Sequence, residues 1–514
     1  MLRSRVVLFL LLTLATSGLV SAARATDVSG TITTTKWTKA NSPYRVVGAI
    51  AVPPGNTLTI EPGVDVLFDS TAQILVSGRL VAIGTETDSI RFLMGTTDWR
   101  GIRISGGDSS TLAYVRISGS ISTVFSGPNG AGIGITGANT RLGISHSVIS
   151  GNQNGMSGGG IAVGDSARLT MRRCAIRDNY CYYAGGGIYN KGDAALSECL
   201  ISGNVPSGLF YGGGIYNTGT LAAKGCTITA NRAGNGGAGI YNESGGTVEI
   251  DSSVISSNRA GIAGGGFGNY GTMRVTRCLV INNLANADWP EGAGGRNGGS
   301  LYAANCTFYG NSGGSGNGIT HSGGTTELVN TIIWGNAAPQ LKGFDQPGVT
   351  VTYSNIEQDA GLFPGTGNIN ADPQFTDAAN QDLRLWPGSP CIDTGDPTSP
   401  LDPDGSRADM GARPFDPTLT VESPQMPPRF LVMQNAPNPF NPSTVIRFAL
   451  PEAAHVKLVV YTVTGQKAAV LRDGFMPAGY HEIRWDAAGF PSGTYFYTCR
   501  AGKNEKTRRM LLLK

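Results

Sequence analysis

Short runs of alternating apolar and polar residues, separated by turn-forming residues, extend along most of this 514-residue chain. Near the start of the regular pattern such runs occur at Thr57–Ile60, 64–68, 73–76 and 90–93, with Pro-Gly and other glycine turns between them. Alternation with a period of two predicts β-strands that bury one face. The repeating units hold only short strands and tight turns, so the pattern predicts an all-β chain with no helix.

An asparagine returns every 25 to 28 residues, at Asn152, Asn179, Asn204, Asn231, Asn258, Asn283, Asn311 and Asn336. Five residues before six of these asparagines stands a small side chain, at Cys174, Cys199, Cys226, Ser253, Cys278 and Cys306. A Gly-Gly-Gly-Ile-Tyr-Asn motif at 185–190 and 212–217 recurs out of phase with the asparagines. A unit of this length cannot bury its own apolar face, so successive units are expected to stack as a solenoid.

The composition of the repeat selects one type of solenoid. Leucine-rich repeats need a ladder of leucines and a helical back, whereas here the back is Gly, Ser and Asn and the inner positions are Ile, Val and Cys. Three short sheets per coil, with successive coils paired as parallel strands about 4.8 Å apart, predict a right-handed parallel β-helix over residues 26–370. We interpret the asparagines as structural, because Asn tolerates the left-handed backbone of a sharp turn and its amide can bond equivalent amides on adjacent coils.

Two further ladders accompany the asparagines. Tyr189, Tyr216 and Tyr241 are expected to stack on the outward side of their strands, as a surface ladder rather than a ligand platform. Five of the eight cysteines occupy one interior position, where a thiol acts as a small hydrophobe. Their spacing matches no zinc site, and in-register side chains point in parallel, so most are expected to be free.

The start of the chain predicts its destination. Residues 1–25 combine a basic beginning, an apolar run and the small-residue exit Ala23-Arg24-Ala25, which is typical of a secretory signal peptide. Its removal takes away three of the 39 basic residues and leaves 36 against 36 acidic ones. A net charge near zero argues against nucleic acid or an anionic membrane as the main partner. No transmembrane segment is predicted, and the expected location is extracellular.

Residues 58–64, Leu-Thr-Ile-Glu-Pro-Gly-Val, resemble the N-terminal coils of pectin-lyase-like right-handed β-helix proteins. Residues 371–414 resemble the closing segment of β-helix surface proteins that carry an interchangeable anchoring module. Aspartates cluster in this segment, at Asp393, Asp402, Asp404 and Asp409. These carboxylates are either calcium ligands or ordinary Asp-Pro-Asp-Gly turn chemistry, and no other cofactor is predicted.

A proline-rich linker is predicted at 415–428, and runs at 445–448, 456–461, 481–485 and 495–497 then predict a small immunoglobulin-like β-sandwich over 429–514. Its motifs are Gln-Asn-Ala-Pro-Asn-Pro-Phe-Asn-Pro at 434–442, Ser-Gly-Thr-Tyr at 492–495 and the basic and apolar run 508–514. They resemble the C-terminal sorting domain of type IX secretion, which overlaps the immunoglobulin-like repeat of the flagellar hook-capping protein. The resemblance implies outer-membrane secretion machinery as a partner, and release or attachment at the surface of a Gram-negative bacterium.

Many right-handed β-helices that resemble this one cleave acidic polysaccharides, and hydrolysis needs two carboxylates about 5 to 9.5 Å apart. Here acidic residues do not stack at one ladder position, and the Asn-Thr-Asp, Asp-Asp and Gly-His-Gly motifs of polygalacturonases are missing. Arg172, Arg173 and Arg177 share a coil without an acidic cluster beside them. The sequence favours a non-enzymatic protein; the alternative is a polysaccharide lyase or glycoside hydrolase acting on acidic glycans.

The favoured hypothesis is an adhesin or structural binding rod whose ligand is a glycan or a surface protein. Loops on one face of a solenoid commonly carry binding sites. The candidate ligand-binding residues are the loop aromatics Tyr182, Tyr183, Phe210, Tyr211 and Trp289. The other interpretation is that these rings pack over their own loops.

Overall fold

A computed structural model describes residues 25–32, 35–96, 98–106, 109–122, 130–285, 291–313, 316–416 and 429–514. The signal peptide expected at 1–25, apart from its last residue, most of the expected linker and Trp289 lie outside these ranges. Within them there is no α-helix, only the 3₁₀ turns Lys39–Asn41 and Ala378–Asn380, so the all-β prediction is confirmed. None of the helices in the described part of the chain is long and apolar enough to cross a membrane.

Each coil of the rod places one strand on each of three faces, and equivalent strands of successive coils pair in parallel. The prediction of a parallel β-helix is therefore confirmed. We number the faces in chain order and call the bend from face 1 to face 2 the first corner, the bend from face 2 to face 3 the second, and the return to face 1 the third. In the described ranges face 1 is a 13-stranded sheet, and faces 2 and 3 join through their first strands into a 25-stranded sheet.

Face 1 consists of Thr35–Trp37, Thr57–Ile60, Arg79–Ile83, Ser110–Ala113, Arg141–Ser145, Arg168–Arg172, Asp193–Ser197, Thr220–Lys224, Thr247–Asp251, Thr272–Thr276, Ser300–Ala304, Thr325–Val329 and Val349–Thr352. Faces 2 and 3 begin with the shared strands Thr26–Thr31 and Tyr44–Val52. Face 2 continues with Asp65–Phe68, Ile90–Met94, Val115–Ser118, Val148–Ser150, Ala175–Arg177, Leu200–Ser202, Thr227–Thr229, Val254–Ser256, Leu279–Ile281, Thr307–Tyr309, Ile332–Trp334 and Asn355–Ile356. Face 3 continues with Ile74–Val76, Ile102–Ser105, Ile133–Thr136, Ile161–Val163, Ile188–Asn190, Ile215–Asn217, Ile240–Asn242, Phe267–Asn269, Gly295–Asn297, Ile319–His321 and Leu341–Lys342.

Short extra strands follow the second corner. They are Ile121–Ser122, Gln153–Asn154, Tyr180–Cys181 and Val205–Pro206 in one sheet and Arg232–Ala233, Arg259–Ala260 and Leu284–Ala285 in another. The loops that hold the predicted aromatic residues start from these strands, so their positions depend on the second corner.

The core is a column of inward side chains in register. Ile188 pairs with Ile215, which pairs with Ile240, and all three are fully buried. Each such side chain contributes about 1.5–3 kcal/mol by leaving water. The register pairs equivalent residues of successive coils. The inward apolar residues of the alternating pattern therefore stack into a continuous apolar interior.

The closing segment does not cover the end of the rod. It contains the antiparallel pair Phe375–Asp377 and Asp382–Leu385, and its apolar side chains pack on the outer side of face 2 against Leu279, Ile281 and Ile332. These outward positions are apolar and buried only in the last coils, which is why the segment lies there. The end of the core is instead packed by Phe344 and Phe363, whose rings meet edge to face at 6.0 Å.

The C-terminal unit is a small β-sandwich, as predicted. A three-stranded antiparallel sheet is formed by Leu431–Val432, Ser443–Leu450 and Gly479–Asp486, and a four-stranded one by Lys467–Met476, Ala454–Thr462, Gly493–Ala501 and Asn504–Leu512. Their inner faces enclose one core that includes Phe448, Trp485 and Tyr497. The sequence did not predict Lys467–Met476 or Asn504–Leu512, because these edge strands carry many charged, exposed residues.

Candidate functional site

The second corner is held by the repeating asparagines, which face inward and are buried. The side-chain amide of each donates a hydrogen bond to the amide oxygen of the next, at 2.8–3.0 Å from Asn152 through Asn336. The same oxygen also accepts a hydrogen bond from the backbone N–H of the preceding asparagine in the column, as Asn231 Oδ1 does from Asn204 N at 3.0 Å. The column ends on Ser120, which donates to Asn152, and on Gln340, which accepts from Asn336.

The prediction that these asparagines adopt the left-handed backbone is wrong. The left-handed residue is the one before each of them, for example Asp178 (φ 56°), Gly203 (φ 65°) and Ala230 (φ 55°). The bend is thus completed one residue earlier. The following asparagine can then point its amide into the core, where hydrogen bonds to its neighbours satisfy the polar groups.

The glycine triplets are explained by the asparagine column. Gly185 adopts φ 69°, which favours glycine. A Cβ on Gly187 would lie 2.6 Å from the carbonyl oxygen of Gly214 and 3.0 Å from the amide nitrogen of Asn204. The third glycine of each motif therefore leaves room for the asparagine amide. The recurring glycines and the recurring asparagines thus build the same corner of the rod.

The repeated cysteine position lies at the first corner, where it has a structural role. The side chain at this position donates a hydrogen bond to the backbone carbonyl two residues earlier, as Cys174 Sγ does to Arg172 O at 3.3 Å and Ser253 Oγ to Asp251 O at 2.8 Å. Cys, Ser and Thr share the position because each can make this bond. All eight cysteines are free and buried, and burial raises the pKa of the Cys278 thiol to about 12.

A second amide column, which sequence reasoning missed, lines the third corner. Asn190, Asn217, Asn242 and Asn269 each donate from Nδ2 to the Oδ1 of the next, at 2.7–2.9 Å, ending on Asn297. The sequence signal for this column was the asparagine that ends each Gly-Gly-Gly-Ile-Tyr-Asn motif. His321 takes the next position, with Nδ1 2.9 Å from Thr326 Oγ1, and burial lowers its pKa.

The predicted ligand-binding aromatics come together only in part. The ring of Tyr183 meets those of Tyr182 and Phe210 edge to face, at 5.0 and 4.9 Å. Tyr182 and Tyr183 remain 50% and 39% exposed, and Leu209 beside them is 71% exposed. We call Tyr182, Tyr183, Leu209 and Phe210 the aromatic patch. The rings pack on one another across two coils and still present an apolar surface to solvent.

Tyr211 belongs to a different group. Its ring lies 4.4 Å from that of Tyr241, and Tyr241 stacks with Tyr216 at 5.3 Å, which stacks with Tyr189 at 5.4 Å. Adjacent rings cover each other's faces, so this ladder offers ring edges and hydroxyl groups. The Tyr216 hydroxyl donates to Glu243 at 2.6 Å, and burial, with this carboxylate, raises the pKa of Tyr216.

The aspartates of the closing segment accept internal hydrogen bonds. Asp409 accepts from the backbone N–H groups of Asp393 and Phe415 at 2.7 and 2.6 Å, and Asp402 accepts from that of Asp409 at 2.7 Å. Asp404 accepts from its neighbour Ser406. No group of three or more His, Cys, Asp or Glu side chains suited to a metal occurs in the described ranges. Asp402, Asp404 and Asp409 therefore accept hydrogen bonds from within the segment, as aspartates in turns commonly do.

Asp178 and Glu198, two acidic residues of the repeats, are paired with arginines. Asp178 lies 2.9 Å from Arg177, and Glu198 lies 2.6 Å from Arg173 and 3.4 Å from Arg172. Each of these carboxylates therefore has a cation as its nearest partner, and the arrangement resembles a surface ion pair more than a pair of catalytic acids.

No curated protein matches the chain. The family described as "Right handed beta helix region" matches residues 94–283, which hold the aromatic patch and most of the asparagine and cysteine columns. These residues are similar to that family, and the described chain folds as a parallel β-helix followed by a small β-sandwich.

Proposed function

We propose that this protein is a secreted β-helix adhesin, a rod that binds a glycan on another surface through its aromatic patch. The observation that carries the proposal is the exposure of Tyr182, Tyr183 and Leu209 side by side on neighbouring coils. A contiguous apolar patch on a soluble protein favours an interaction site. Tyrosine adds a polar hydroxyl to an apolar ring, a combination that suits the mixed surface of a sugar.

The rigid support beneath the patch favours binding without large rearrangement. The patch follows Asn179 and Asn204, whose amides are bonded to each other and to the backbone. Binding side chains that are held on rigid elements lose less conformational freedom when a ligand binds. Phe210, half-buried beneath the two tyrosines, fixes their rings further.

Export is the second part of the proposal. Residues 429–514 fold as their own β-sandwich core and carry the motifs that resemble a type IX sorting domain. We expect this unit to engage the outer-membrane secretion machinery and to leave the rod at the cell surface. Fusing residues 429–514 behind a signal peptide and a reporter enzyme, in a bacterium with this pathway, should place the reporter outside the cell. Retention in the periplasm would contradict this part.

Binding is tested with the full chain and a panel of pectic, alginate-like and neutral polysaccharides, with and without calcium. Retained protein and released oligosaccharides are measured separately. The triple variant Tyr182→Ala, Tyr183→Ala, Phe210→Ala should weaken retention about thirtyfold, as expected for a hot spot. Tyr180→Ala, on the same coil but outside the patch, is the matched control and should bind as the unchanged protein does.

Three outcomes would contradict the proposal. Unchanged retention of the triple variant would show that the patch is not the site. Binding only to a surface protein would replace the glycan as ligand. Released oligosaccharides would support the alternative, an enzyme acting on acidic glycans, and unsaturated ends among them would identify a lyase.

A further inference from the structure

The C-terminal sandwich meets the closing segment through two side-chain contacts. Arg429, at the start of the sandwich, forms an ion pair with Asp377. The ring of Trp386, which is buried, meets the Tyr480 ring edge to face at 4.6 Å. The closing segment therefore packs on face 2 with one side and on the sandwich with another.

Asp377 and Trp386 also line a cavity of about 290 Å³ between the closing segment and the sandwich. We call it the interface cavity. Its rod side is aromatic, because Tyr309, Trp334 and Phe375 line it together with Trp386. Ligand sites commonly lie between domains, with apolar walls and a few polar groups that fix orientation. A volume at the lower end of the range for such sites suits a ligand of about one amino-acid residue.

The sandwich side of the cavity carries two guanidinium groups, those of Arg447 and Arg508. Arg508 Nε donates to Val432 O at 3.1 Å. Arg447 Nε is buried and lies 3.4 Å from the exposed carboxylate of Glu482, without a hydrogen bond in the described ranges. The terminal nitrogens of both arginines make no hydrogen bond to the described residues. Their N–H groups are suited to a carboxylate, since a guanidinium fork matches its two oxygens.

The rod side offers one unpaired acceptor, the amide oxygen of Gln374. The backbone of Gln374 is left-handed, with φ 54°, and is held by hydrogen bonds to Asp372 Oδ1 and from Trp386 N, both at 2.9 Å. Its side-chain Oε1 is buried and has no partner among the residues that the structure describes. Buried polar atoms are nearly always hydrogen-bonded, so this oxygen indicates a donor that a ligand supplies.

We infer that the interface cavity binds an apolar α-amino acid, either free or as the last residue of a peptide. Its carboxylate bonds to Arg447 and Arg508, its α-nitrogen donates to Gln374 Oε1, and its side chain packs on the aromatic wall. A simple anion leaves the aromatic wall uncovered, and an apolar molecule leaves the arginines unpaired. Water satisfies the polar atoms only, whereas an apolar side chain also gains by leaving water.

The test is titration calorimetry of the full chain with L-phenylalanine and with N-acetyl-L-phenylalanine, which represents the end of a peptide. At least one should bind with a dissociation constant below about 1 mM, and the tighter of the two identifies the source. L-Phenylalaninamide lacks the carboxylate, and acetate lacks the side chain. Each should bind at least about tenfold more weakly.

Two variants assign the binding to this cavity. Arg447→Gln should weaken it about tenfold, the value of one charge-assisted hydrogen bond. Gln374→Asn should weaken it about three- to tenfold, because asparagine keeps the left-handed backbone while its shorter side chain withdraws the amide oxygen. Arg484→Gln is the matched control. It changes an exposed arginine on the strand paired with that of Arg447 and should bind as the unchanged protein does.

Three results would overturn the inference. The first is no saturable binding of either phenylalanine ligand, which would leave water alone in the cavity. The second is binding of L-phenylalaninamide or acetate as tight as that of the phenylalanine ligands. The third is binding by Gln374→Asn and Arg447→Gln equal to that of Arg484→Gln. The triple variant of the aromatic patch should keep this binding, so the two proposals fail independently.

Discussion

The asparagine column at the second corner allows a quantitative prediction for Asn231→Ala. Asn231 is fully buried in the middle of the column. Its Nδ2 donates to Ile201 O at 2.9 Å and to Asn258 Oδ1 at 3.0 Å. Its Oδ1 accepts from the backbone N and the Nδ2 of Asn204, both at 3.0 Å. Alanine removes all four hydrogen bonds and leaves the Asn204 backbone N–H without its acceptor.

The loss is expected to be large because these bonds are buried. A net contribution of about 0.5–1.5 kcal/mol for each bond gives a total of about 2–6 kcal/mol. Asn231→Asp should cost more than Asn231→Ala, because a buried carboxylate would face Ile201 O and Asn258 Oδ1, which are acceptors as well. The comparison separates the loss of an amide donor from the loss of volume.

Hydrogen exchange is the suitable assay, because a stacked array opens locally and does not unfold in two states. We expect the Asn204 amide and the amides of the adjoining coils to exchange at least about thirtyfold faster in Asn231→Ala, which corresponds to the lower end of this range at about 1.4 kcal/mol per tenfold change. Arg232→Ala, one residue along and exposed, is the control. Exchange within threefold of that control would refute the role assigned to the column.

Other substitutions test the cysteine position, the glycine motif and the closing segment. Cys226→Ser should keep the bond to Lys224 O and change the local opening free energy of its coil, measured by hydrogen exchange, by less than about 1 kcal/mol, whereas Cys226→Ala should lower it by about 1–2 kcal/mol. Gly214→Ala should destabilise the rod by about 1–3 kcal/mol, since its Cβ would lie 2.6 Å from Gly239 O, while Gly143→Ala, whose Cβ meets nothing within 4 Å, should not. Burial raises the pKa of Asp409 to about 6, so its protonation stabilises the closing segment fully below pH ~4 and is lost as the pH rises through ~6. The free energy of local opening of the closing segment, measured by hydrogen exchange in the unchanged protein relative to Asp409→Asn, should therefore rise by up to about 3 kcal/mol from pH 7 to pH 4, and no pH dependence of this difference would contradict the assignment.

Much of the rod was predictable because its contacts repeat. A period of 25 to 28 residues places Asn179 next to Asn204 in space, so one coil indicates the contacts of the others. The backbone of the turn was not predictable from the asparagine alone. The residue that takes the left-handed conformation varies among Asp178, Gly203 and Ala230, and only two of these suggest a turn. The second column was not predicted because its asparagine stands at the end of a motif whose most regular feature is the run of glycines.

The aromatic contacts were harder to predict, since they join loops and corners of different coils whose sequences do not repeat. Tyr183 and Phe210 are close because two loops of different sequence leave the same corner. Tyr211, the next residue along, turns instead to Tyr241. His146 was visible as one of two histidines in the repeats, but its stacking on Tyr114 requires knowing that each follows a face 1 strand by one residue.

By itself the sequence determined the solenoid, its inward and outward alternation and the presence of a separate C-terminal sandwich. These features follow from local periodicity and from the need of each short unit to bury its apolar face on the next. Only the tertiary structure decided which side chains meet across coils and where the closing segment packs. Such contacts depend on corner geometry and loop direction, which single residues do not encode, because the same left-handed turn at the second corner accepts glycine, aspartate or alanine when the adjoining strands hold it in place.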